Sequence, residues 1–179
     1  MKRLVDIALA LALLVLLWPL ILLLALLVRI ESPGNPFFLQ KRLGRSEKPF
    51  TMWKLRTMRR GTPDKGTHEI GADAQTRLGA VLRRARLDEL PQALNILLGH
   101  MSLVGPRPCL PSQDAVIAER RRQGVFAIRP GVTGLSQIRA IDMSRPAELA
   151  TSDREYMDRQ SLALDLQICL KTLAAVFWR

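Results

Sequence analysis

Two neighbouring carboxylates, Asp88 and Glu89, form the one adjacent acidic pair in the sequence, and three arginines shortly precede them. Adjacent carboxylates in a basic setting can hold one Mg²⁺ and leave an oxygen free to attack phosphorus, while arginines and backbone amides gather phosphate oxygens. The same residues also suit helix capping ahead of Pro91, because acidic side chains favour the positive end of the helix dipole. The residues themselves leave both interpretations open.

Two further arginines lie on stiff turns. Arg107 stands between Pro106 and Pro108, and Arg129 precedes a Pro-Gly pair. A rigid mount reduces the entropy lost when an arginine grips a phosphate with two parallel hydrogen bonds. Pairing with a core carboxylate is the alternative role. In contrast, the arginine run at 120–122 is predicted to be a solvated or lipid-facing helix end.

A long apolar segment must help to position these residues. Residues 7–28 contain no charge over 22 positions, and such a helix would extend about 33 Å, close to the roughly 30 Å of a bilayer core. Basic residues flank both ends, so the positive-inside rule marks neither end as external. Trp18 and Pro19 stand near the middle, where proline favours a kink. A spanning helix and a re-entrant hairpin are both open. Asp6, beside the run, is predicted to pair with Arg3 or Lys2 one turn away.

Composition restricts the classes of protein and partner. The 179 residues exclude a large multidomain protein, and the 48% hydrophobic content excludes a disordered or collagen-like chain. The net charge of +11 predicts anionic partners: phosphorylated ligands, acidic lipid head groups or nucleic acid. Basic and aromatic residues are interleaved at 41–60, and their position beside the apolar run favours a membrane surface. Cys109 and Cys169, with no paired spacing, are typical of a reducing compartment.

The rest of the sequence predicts a mainly α fold with a small β-hairpin. Two strands at 37–41 and 50–55 flank a polar turn, apolar spacing predicts helices at 75–86 and 162–178, and further helices are predicted at 88–98, 112–123 and 147–159. The last helix has a broad apolar face that suits either core packing or a membrane surface. Segments 103–108 and 129–134 are predicted to be rigid turns. The segment 61–71 is predicted to be an exposed mobile loop, and His68 and His100 to be surface or packing residues.

Six ordered blocks, covering essentially the whole chain, resemble the small monotopic phosphoglycosyl transferases, also called the bacterial sugar transferase family. The blocks at 2–6, 40–44 and 54–58 read Lys-Arg-x-x-Asp, Gln-x-Arg-x-Gly and Lys-x-Arg-Thr-Met. Those at 87–92, 101–108 and 129–135 read Leu-Asp-Glu-Leu-Pro-Gln, Met-Ser-Leu-Val-Gly-Pro-Arg-Pro and Arg-Pro-Gly-Val-Thr-Gly-Leu. The Asp-Glu and Pro-Arg-Pro blocks are highly specific to the family.

The resemblance implies transfer of a phosphosugar from a nucleotide diphosphate sugar, usually a UDP-sugar, to polyprenol phosphate, with release of UMP. Asp88 would be the nucleophile that forms a phosphosugar-enzyme intermediate in a ping-pong scheme, and Asp88 and Glu89 would hold Mg²⁺. Substrate contacts would come from the matched blocks and their neighbours, which supply Arg42, Arg56, Arg86, Gln92, Arg107, Arg129, Pro130, Gly131, Thr133 and Arg139.

The resemblance also implies a monotopic membrane protein. Residues 1–31 would form a re-entrant helix hairpin broken at Trp18 and Pro19, with an ion pair between Arg3 and Asp6 at its flank. Residues 32–179 would form one compact cytoplasmic catalytic domain with amphipathic helices at the membrane surface. The expected location is the cytoplasmic face of the bacterial inner membrane. The phospholipid membrane is an expected partner, nucleic acid is not, and a homodimer is a possible assembly.

Three positions depart from the pattern of many relatives. Trp18 stands where they have Ser before the membrane proline, and His100 where they have Asp or Glu. Arg139 and Ala140 stand near the position of a Gly-Arg pair that touches phosphate in relatives, with Arg139 or Arg145 as substitutes. Two other functions remain open: a membrane-anchored basic module that binds anionic lipid or nucleic acid without catalysis, and a Mg-dependent pyrophosphate hydrolase.

Overall fold

The computed structural model describes residues 1–62 and 72–177 of the chain. This part is mostly helical, with a small antiparallel sheet and a long apolar N-terminal helix, as the sequence predicted. His68 and most of the segment 61–71, predicted as an exposed loop, lie outside the described residues.

The apolar segment forms one helix, α1, over Lys2–Glu31. Pro19 lies inside it, and the helix continues through Trp18 and Pro19, so the break predicted there is not seen and the re-entrant path stays a prediction. By length and composition α1 could cross a membrane. Most of its side chains are exposed; those that are buried are Asp6, Ala10, Ile21, Leu24, Ala25 and Val28.

Both halves of α1 pack against the same folded body. Ala10 in the first half belongs to a core cluster with Phe50 and Met52 of the sheet. Leu24, Ala25 and Val28 in the second half pack with Leu55 and Leu82. The helix therefore lies along the body rather than projecting from it, and its remaining apolar surface faces outward.

The predicted hairpin is confirmed. Strand β1, Phe37–Leu43, pairs antiparallel with β2, Pro49–Leu55, and Gln40 lies opposite Met52. Alternate residues of β2, Phe50 and Met52, point into the core, as a sheet with one covered face requires. By the same alternation Lys54 lies on the face of Phe50 and Met52, Arg42 lies opposite Phe50 on that face, and both basic residues line cavities of the molecule.

Short helices complete the body, and all of them except α5 lie close to predicted positions. They are α2 (Arg77–Arg84), α3 (Gln92–Leu97), α4 (Asp114–Arg122), α5 (Leu135–Ile138), α6 (Pro146–Asp158) and α7 (Leu162–Phe177). Thr76 caps α2 by accepting a hydrogen bond of 2.9 Å from the Gly79 amide. The prediction of one helix over 88–98 was wrong at its start, because a 3₁₀ turn at Leu87–Glu89 precedes α3.

Two segments that were predicted to be rigid turns form a pair of short parallel strands instead. Strand β3, Ser102–Val104, pairs with β4, Gly131–Thr133. A Cβ on Gly131 would lie 2.1 Å from the Gly105 backbone nitrogen, so only glycine permits this close approach. The pairing places the segments that carry Arg107 and Arg129 side by side.

Candidate active site

The acidic pair lies in the 3₁₀ turn between α2 and α3. The turn follows Arg86, whose backbone is left-handed with φ of 55° and ψ of 18°. A non-glycine residue seldom adopts this conformation, which is a feature of functional sites. The cap position of α3 is Pro91, and no side chain bonds to the helix there. The carboxylates of Asp88 and Glu89 therefore do not cap α3, and both line a cavity.

Cations surround the Glu89 carboxylate. Lys54 Nζ lies 3.0 Å from Glu89 Oε1, and two guanidinium nitrogens of Arg107 lie 3.4 Å from the same oxygen. Arg86 adds a nitrogen 3.7 Å from Oε2. Burial alone would raise the pKa of Glu89, but Lys54 and Arg107 outweigh it and lower the pKa to about 2. Glu89 is therefore ionised throughout the physiological range.

Asp88 differs from its neighbour. Its side chain is buried, and burial raises its pKa, with the Glu89 charge acting in the same direction and Lys54 opposing both. In the described parts of the chain no group donates a hydrogen bond to the Asp88 carboxylate. Asp88 thus presents a carboxylate with little solvation and no hydrogen bond to break before it can act as a nucleophile.

Two cavities meet at Asp88. The first, here the α7 cavity, has a volume of about 520 Å³ and is lined by Glu89, Arg107 and the α7 residues Ala175 and Val176. The second, here the hairpin cavity, has a volume of about 450 Å³ and is lined by Phe37, Phe38 and Arg56. Both volumes are typical of small-molecule sites. The wall common to both is formed by Arg42, Lys54, Arg83 and Asp88.

The acidic pair is also suited to a divalent cation. Glu89 Oε2 is buried and has no hydrogen-bond partner within the described residues. Such an oxygen is costly unless a cation or water satisfies it. No cluster of three or more His, Cys, Asp or Glu side chains occurs in the described ranges, but Mg²⁺ commonly takes one or two carboxylates and completes its shell with water and substrate phosphates. Asp88 and Glu89 therefore fit the ion.

Lys54 and Arg83 were not predicted as site residues. Lys54 is paired with Glu89, and Arg83 Nε donates a hydrogen bond of 2.7 Å to Thr57 Oγ1, which turns the guanidinium toward both cavities. Burial lowers the pKa of each. Lys54 stands in one of the six matched blocks and Arg83 in the arginine-rich stretch before the acidic pair, and those positions were the available signals.

The structure brings together some of the predicted substrate-contacting residues. Arg42, Arg86 and Arg107 line the α7 cavity, and Arg42 and Arg56 line the hairpin cavity. Arg42 is buried and donates to Gln40 Oε1 and to the Pro108 carbonyl. Arg56 donates to the carbonyls of Ser32 and Pro33, just after α1.

The other predicted contacts lie outside the two cavity linings, and their roles stay predictions. Arg129 Nε donates to the Gly99 carbonyl at 2.8 Å, and Arg139 pairs with Glu155 on the surface. Arg145, the other substitute, pairs with Glu148. Pro130, Gly131 and Thr133 take part in the hydrogen-bonded pairing of β3 with β4. Gln92 is buried in α3.

Two predictions about charged side chains were wrong. Arg3 and Asp6 do not pair with each other: Arg3 donates to the carbonyls of Leu97 and Met101, while Asp6 accepts hydrogen bonds from Ser102 and Leu103. The burial of Asp6 against β3 explains the change of partner, because its carboxylate needs donors there.

Arg120 was predicted at a solvated or lipid-facing helix end, but its side chain is only 2% exposed. Its guanidinium donates to Asp153 Oδ2 at 2.6 and 2.9 Å and to the Arg107 carbonyl at 2.8 Å. Its two neighbours in the run, which pair with Glu47 and Glu119, are exposed as predicted. His100 packs against the Phe50 ring.

A protein-family model and several curated proteins match this chain over all or nearly all of its length. The model of the bacterial sugar transferase family matches residues 1–179. A UDP-glucose:undecaprenyl-phosphate glucose-1-phosphate transferase of Caulobacter vibrioides is 40% identical over 98% of this chain and 69% of the relative. The exopolysaccharide production protein PSS of Rhizobium leguminosarum is 37% identical over 100% of this chain and 96% of the relative.

A longer relative is the UDP-N-acetylgalactosamine-undecaprenyl-phosphate N-acetylgalactosaminephosphotransferase of Aeromonas hydrophila, which is 36% identical over 98% of this chain and 43% of its own length. Curated relatives of different length thus share the whole of this module. The family model matches the full chain, and PSS is similar over nearly the whole length of both proteins. The acidic pair beside two cavities fits these matches. The chain therefore belongs to the bacterial sugar transferase family and is a transferase.

Proposed function

We propose that this transferase moves a sugar phosphate from a UDP-sugar to a polyprenol phosphate and releases UMP. The general reaction is supported by the names of the relatives, which act on UDP-sugars and undecaprenyl phosphate. The single observation that carries the proposal is the position of Asp88, a buried carboxylate at the junction of two cavities and beside an ionised Glu89.

The first half-reaction is an attack by Asp88. A carboxylate oxygen of Asp88 forms a bond to the phosphorus that carries the sugar, and the bond between that phosphorus and the oxygen bridging to UMP breaks. UMP leaves with the electron pair, and the sugar phosphate stays on Asp88 as an acyl phosphate. Burial of Asp88 leaves its carboxylate poorly solvated, which favours attack.

The charges around Asp88 support phosphoryl transfer. Lys54 and Arg83 line both cavities beside Asp88, and Arg107 lines the α7 cavity. Their positive charges would stabilise the negative charge that accumulates on the phosphate oxygens. Mg²⁺ held by Asp88 and Glu89 would neutralise the diphosphate of the bound nucleotide sugar.

The second half-reaction returns Asp88 to its starting state. An oxygen of polyprenol phosphate attacks the same phosphorus, the bond to Asp88 breaks, and polyprenyl diphosphate sugar leaves. The two half-reactions form a ping-pong scheme. Because the chain is a transferase by family, a binding module without catalysis no longer competes with this scheme.

The surface of the molecule supports work at a membrane. Leucines are exposed along α1, and a second row lies on α7, formed by Leu162, Leu166, Leu170 and Leu173. Exposed apolar surface of this extent is typical of contact with lipid. We place the protein at the cytoplasmic face of the bacterial inner membrane, with α1 as a re-entrant element, because both halves of α1 pack against one charged body that cannot enter the hydrocarbon core.

The test is UMP release from UDP-glucose and UDP-N-acetylgalactosamine in detergent with Mg²⁺ and undecaprenyl phosphate. Asp88→Asn should reduce UMP release at least about a thousandfold, because the amide is a poor nucleophile. Asp114→Asn, at an exposed residue of α4, is the matched control and should keep full activity. Unimpaired turnover in Asp88→Asn would disprove the assignment of the nucleophile.

Trapping separates transfer from hydrolysis. Incubation with radiolabelled UDP-sugar and no polyprenol phosphate should leave label on the protein, and Asp88→Asn should abolish the label. A hydrolase would instead release free sugar phosphate together with UMP, and the protein would carry no label.

A further inference from the structure

The two cavities share one wall but differ in the chemistry of their other walls. The hairpin cavity starts directly after the end of α1, at Gly34 and Asn35, and includes the rings of Phe37 and Phe38. Its other charged residues, beyond the shared wall, are all basic within the described part of the lining: Arg56, Arg59 and Arg60. A phosphate monoester on an apolar chain matches this combination of cations and rings.

The α7 cavity offers a different set of groups. Besides cations it contains the carboxylates of Glu89 and Asp142, and it contains neutral hydrogen-bonding side chains, including Ser136 and Gln137. Gln137 Nε2 donates to the Val132 carbonyl at 3.0 Å, but Gln137 Oε1 is buried and has no partner among the residues described. Mixed donors and acceptors beside carboxylates suit a sugar, a base and a diphosphate far better than a lipid.

We propose that the two cavities divide the substrates, with the UDP-sugar in the α7 cavity, the polyprenol phosphate in the hairpin cavity and the transferred phosphoryl group at their common wall. This division rests on the proposed function. It makes the enzyme a two-site ping-pong transferase in which UMP and the lipid phosphate do not compete for one cavity. Lys54 and Arg83 of the common wall would hold the phosphoryl group in both half-reactions.

The division predicts an unusual pattern of product inhibition. When both substrates use one site in turn, UMP competes with the second substrate, since both bind the modified enzyme at the same place. With separate cavities UMP competes with UDP-sugar and is noncompetitive toward polyprenol phosphate. We therefore expect UMP to raise the apparent KM when the UDP-sugar, UDP-glucose or UDP-N-acetylgalactosamine, is varied. When undecaprenyl phosphate is varied, UMP should lower the apparent kcat. Competition between UMP and undecaprenyl phosphate would overturn the division.

Two exposed arginines provide matched variants, one for each cavity. Arg60 lines the hairpin cavity and Arg84 the α7 cavity, and both side chains are exposed, so charge reversal should not prevent folding. Arg60→Glu should lower kcat/KM for undecaprenyl phosphate about tenfold and leave kcat/KM for the UDP-sugar unchanged, because repulsion acts on the anion nearest the new charge. Arg84→Glu should give the reverse pattern.

The exchange of radiolabelled UMP into UDP-sugar without lipid measures the first half-reaction alone. Arg60→Glu should leave this exchange unchanged, and Arg84→Glu should slow it by about tenfold. Equal losses for both substrates in either variant would show one shared site and overturn the division. Absence of exchange in the wild-type protein would instead refute the ping-pong function itself, so the two failures are distinguishable.

Discussion

Asp88 and Glu89 are neighbours in the chain, yet their surroundings move their pKa values in opposite directions. Burial raises the pKa of Asp88, whereas contacts with Lys54 and Arg107 overcome burial and hold the pKa of Glu89 at about 2. Pairs of carboxylates separated in this way take different chemical roles. Glu89 suits a permanent charge that orients cations, and Asp88 suits the group that reacts.

The raised pKa of Asp88 predicts an acid limit of activity. In the proposed mechanism Asp88 attacks as a carboxylate, so the rate of the first half-reaction should fall as pH falls through the pKa of Asp88. Arg83 lowers the pKa of Asp88 through its charge, so Arg83→Met should move this limit to higher pH. The measurement is the pH profile of kcat/KM for UDP-sugar.

Arg84→Met is the matched control, because Arg84 is adjacent in sequence but exposed and is not among the groups that shift Asp88. Its acid limit should coincide with that of the wild type. An acid limit that does not move in Arg83→Met would show that ionisation of Asp88 does not set it.

At the scale of secondary-structure elements, a buried ion pair joins α4 to α6 and supports the site. Arg120 and Asp153 are each 2% exposed, and Arg120 also bonds to the Arg107 carbonyl. Burial raises the pKa of Asp153, and Arg120 opposes this effect. Ser136, on α5, donates to the other oxygen of Asp153 at 3.1 Å. The network thus fixes three helices around the segment that carries Arg107.

Arg120→Met should lower the free energy of unfolding by about 3–5 kcal/mol, because it leaves the Asp153 carboxylate buried without a cation. Removal of both charges in Arg120→Met/Asp153→Leu should recover part of the loss. The control is Arg121→Met, whose exposed pair with Glu47 is screened by water and should contribute little to stability. Urea unfolding in detergent measures all three. Equal effects of the Arg120 and Arg121 substitutions would contradict the network's role.

Elements with strong local patterns could be predicted from sequence. The hairpin, α2 and α7 follow apolar spacing and turn residues, which act over a few positions. The β3–β4 pair could not, since each strand has three residues and its partner lies far along the chain. Arg120 was misassigned for a related reason: as part of an arginine run it resembled a solvated helix end, and only the fold reveals Asp153 beside it.

The residues of the candidate site also fall into those that could be predicted from the sequence and those that could not. Asp88, Glu89 and Arg107 were predicted from adjacency and rigid turns, and the structure brings them together. Lys54 was not predicted as a site residue, because its ion pair with Glu89 joins positions 35 residues apart. Nor could the existence of two cavities be predicted, because their walls come from segments that the folded chain brings together.

At the scale of the whole molecule, α1 is attached to the body near both of its ends. At the start, Lys2 pairs with Asp165 of α7 at 2.6 Å, and Asp6 accepts a hydrogen bond of 2.8 Å from Ser102. At the other end, Glu31 accepts a hydrogen bond of 2.9 Å from the Leu78 amide. Because the body packs against both halves of α1, a bilayer-spanning orientation of this helix would carry the charged body into the hydrocarbon core, which is about 30 Å thick.

The attachment of both ends predicts that α1 enters and leaves the membrane on one side. In a background with Cys109 and Cys169 replaced by Ser, single cysteines at Leu4 and Arg29 should react with a membrane-impermeant maleimide in inside-out vesicles and not in intact spheroplasts. Ser112→Cys, on the exposed surface of the body, is the positive control for the same side. The leucines between the two ends are exposed in the structure yet would be covered by lipid, so Leu16→Cys should stay unreactive in both preparations. Labelling of the Arg29 position from outside would establish a spanning helix, and the ion pair between Lys2 and Asp165 would then have to break in the membrane.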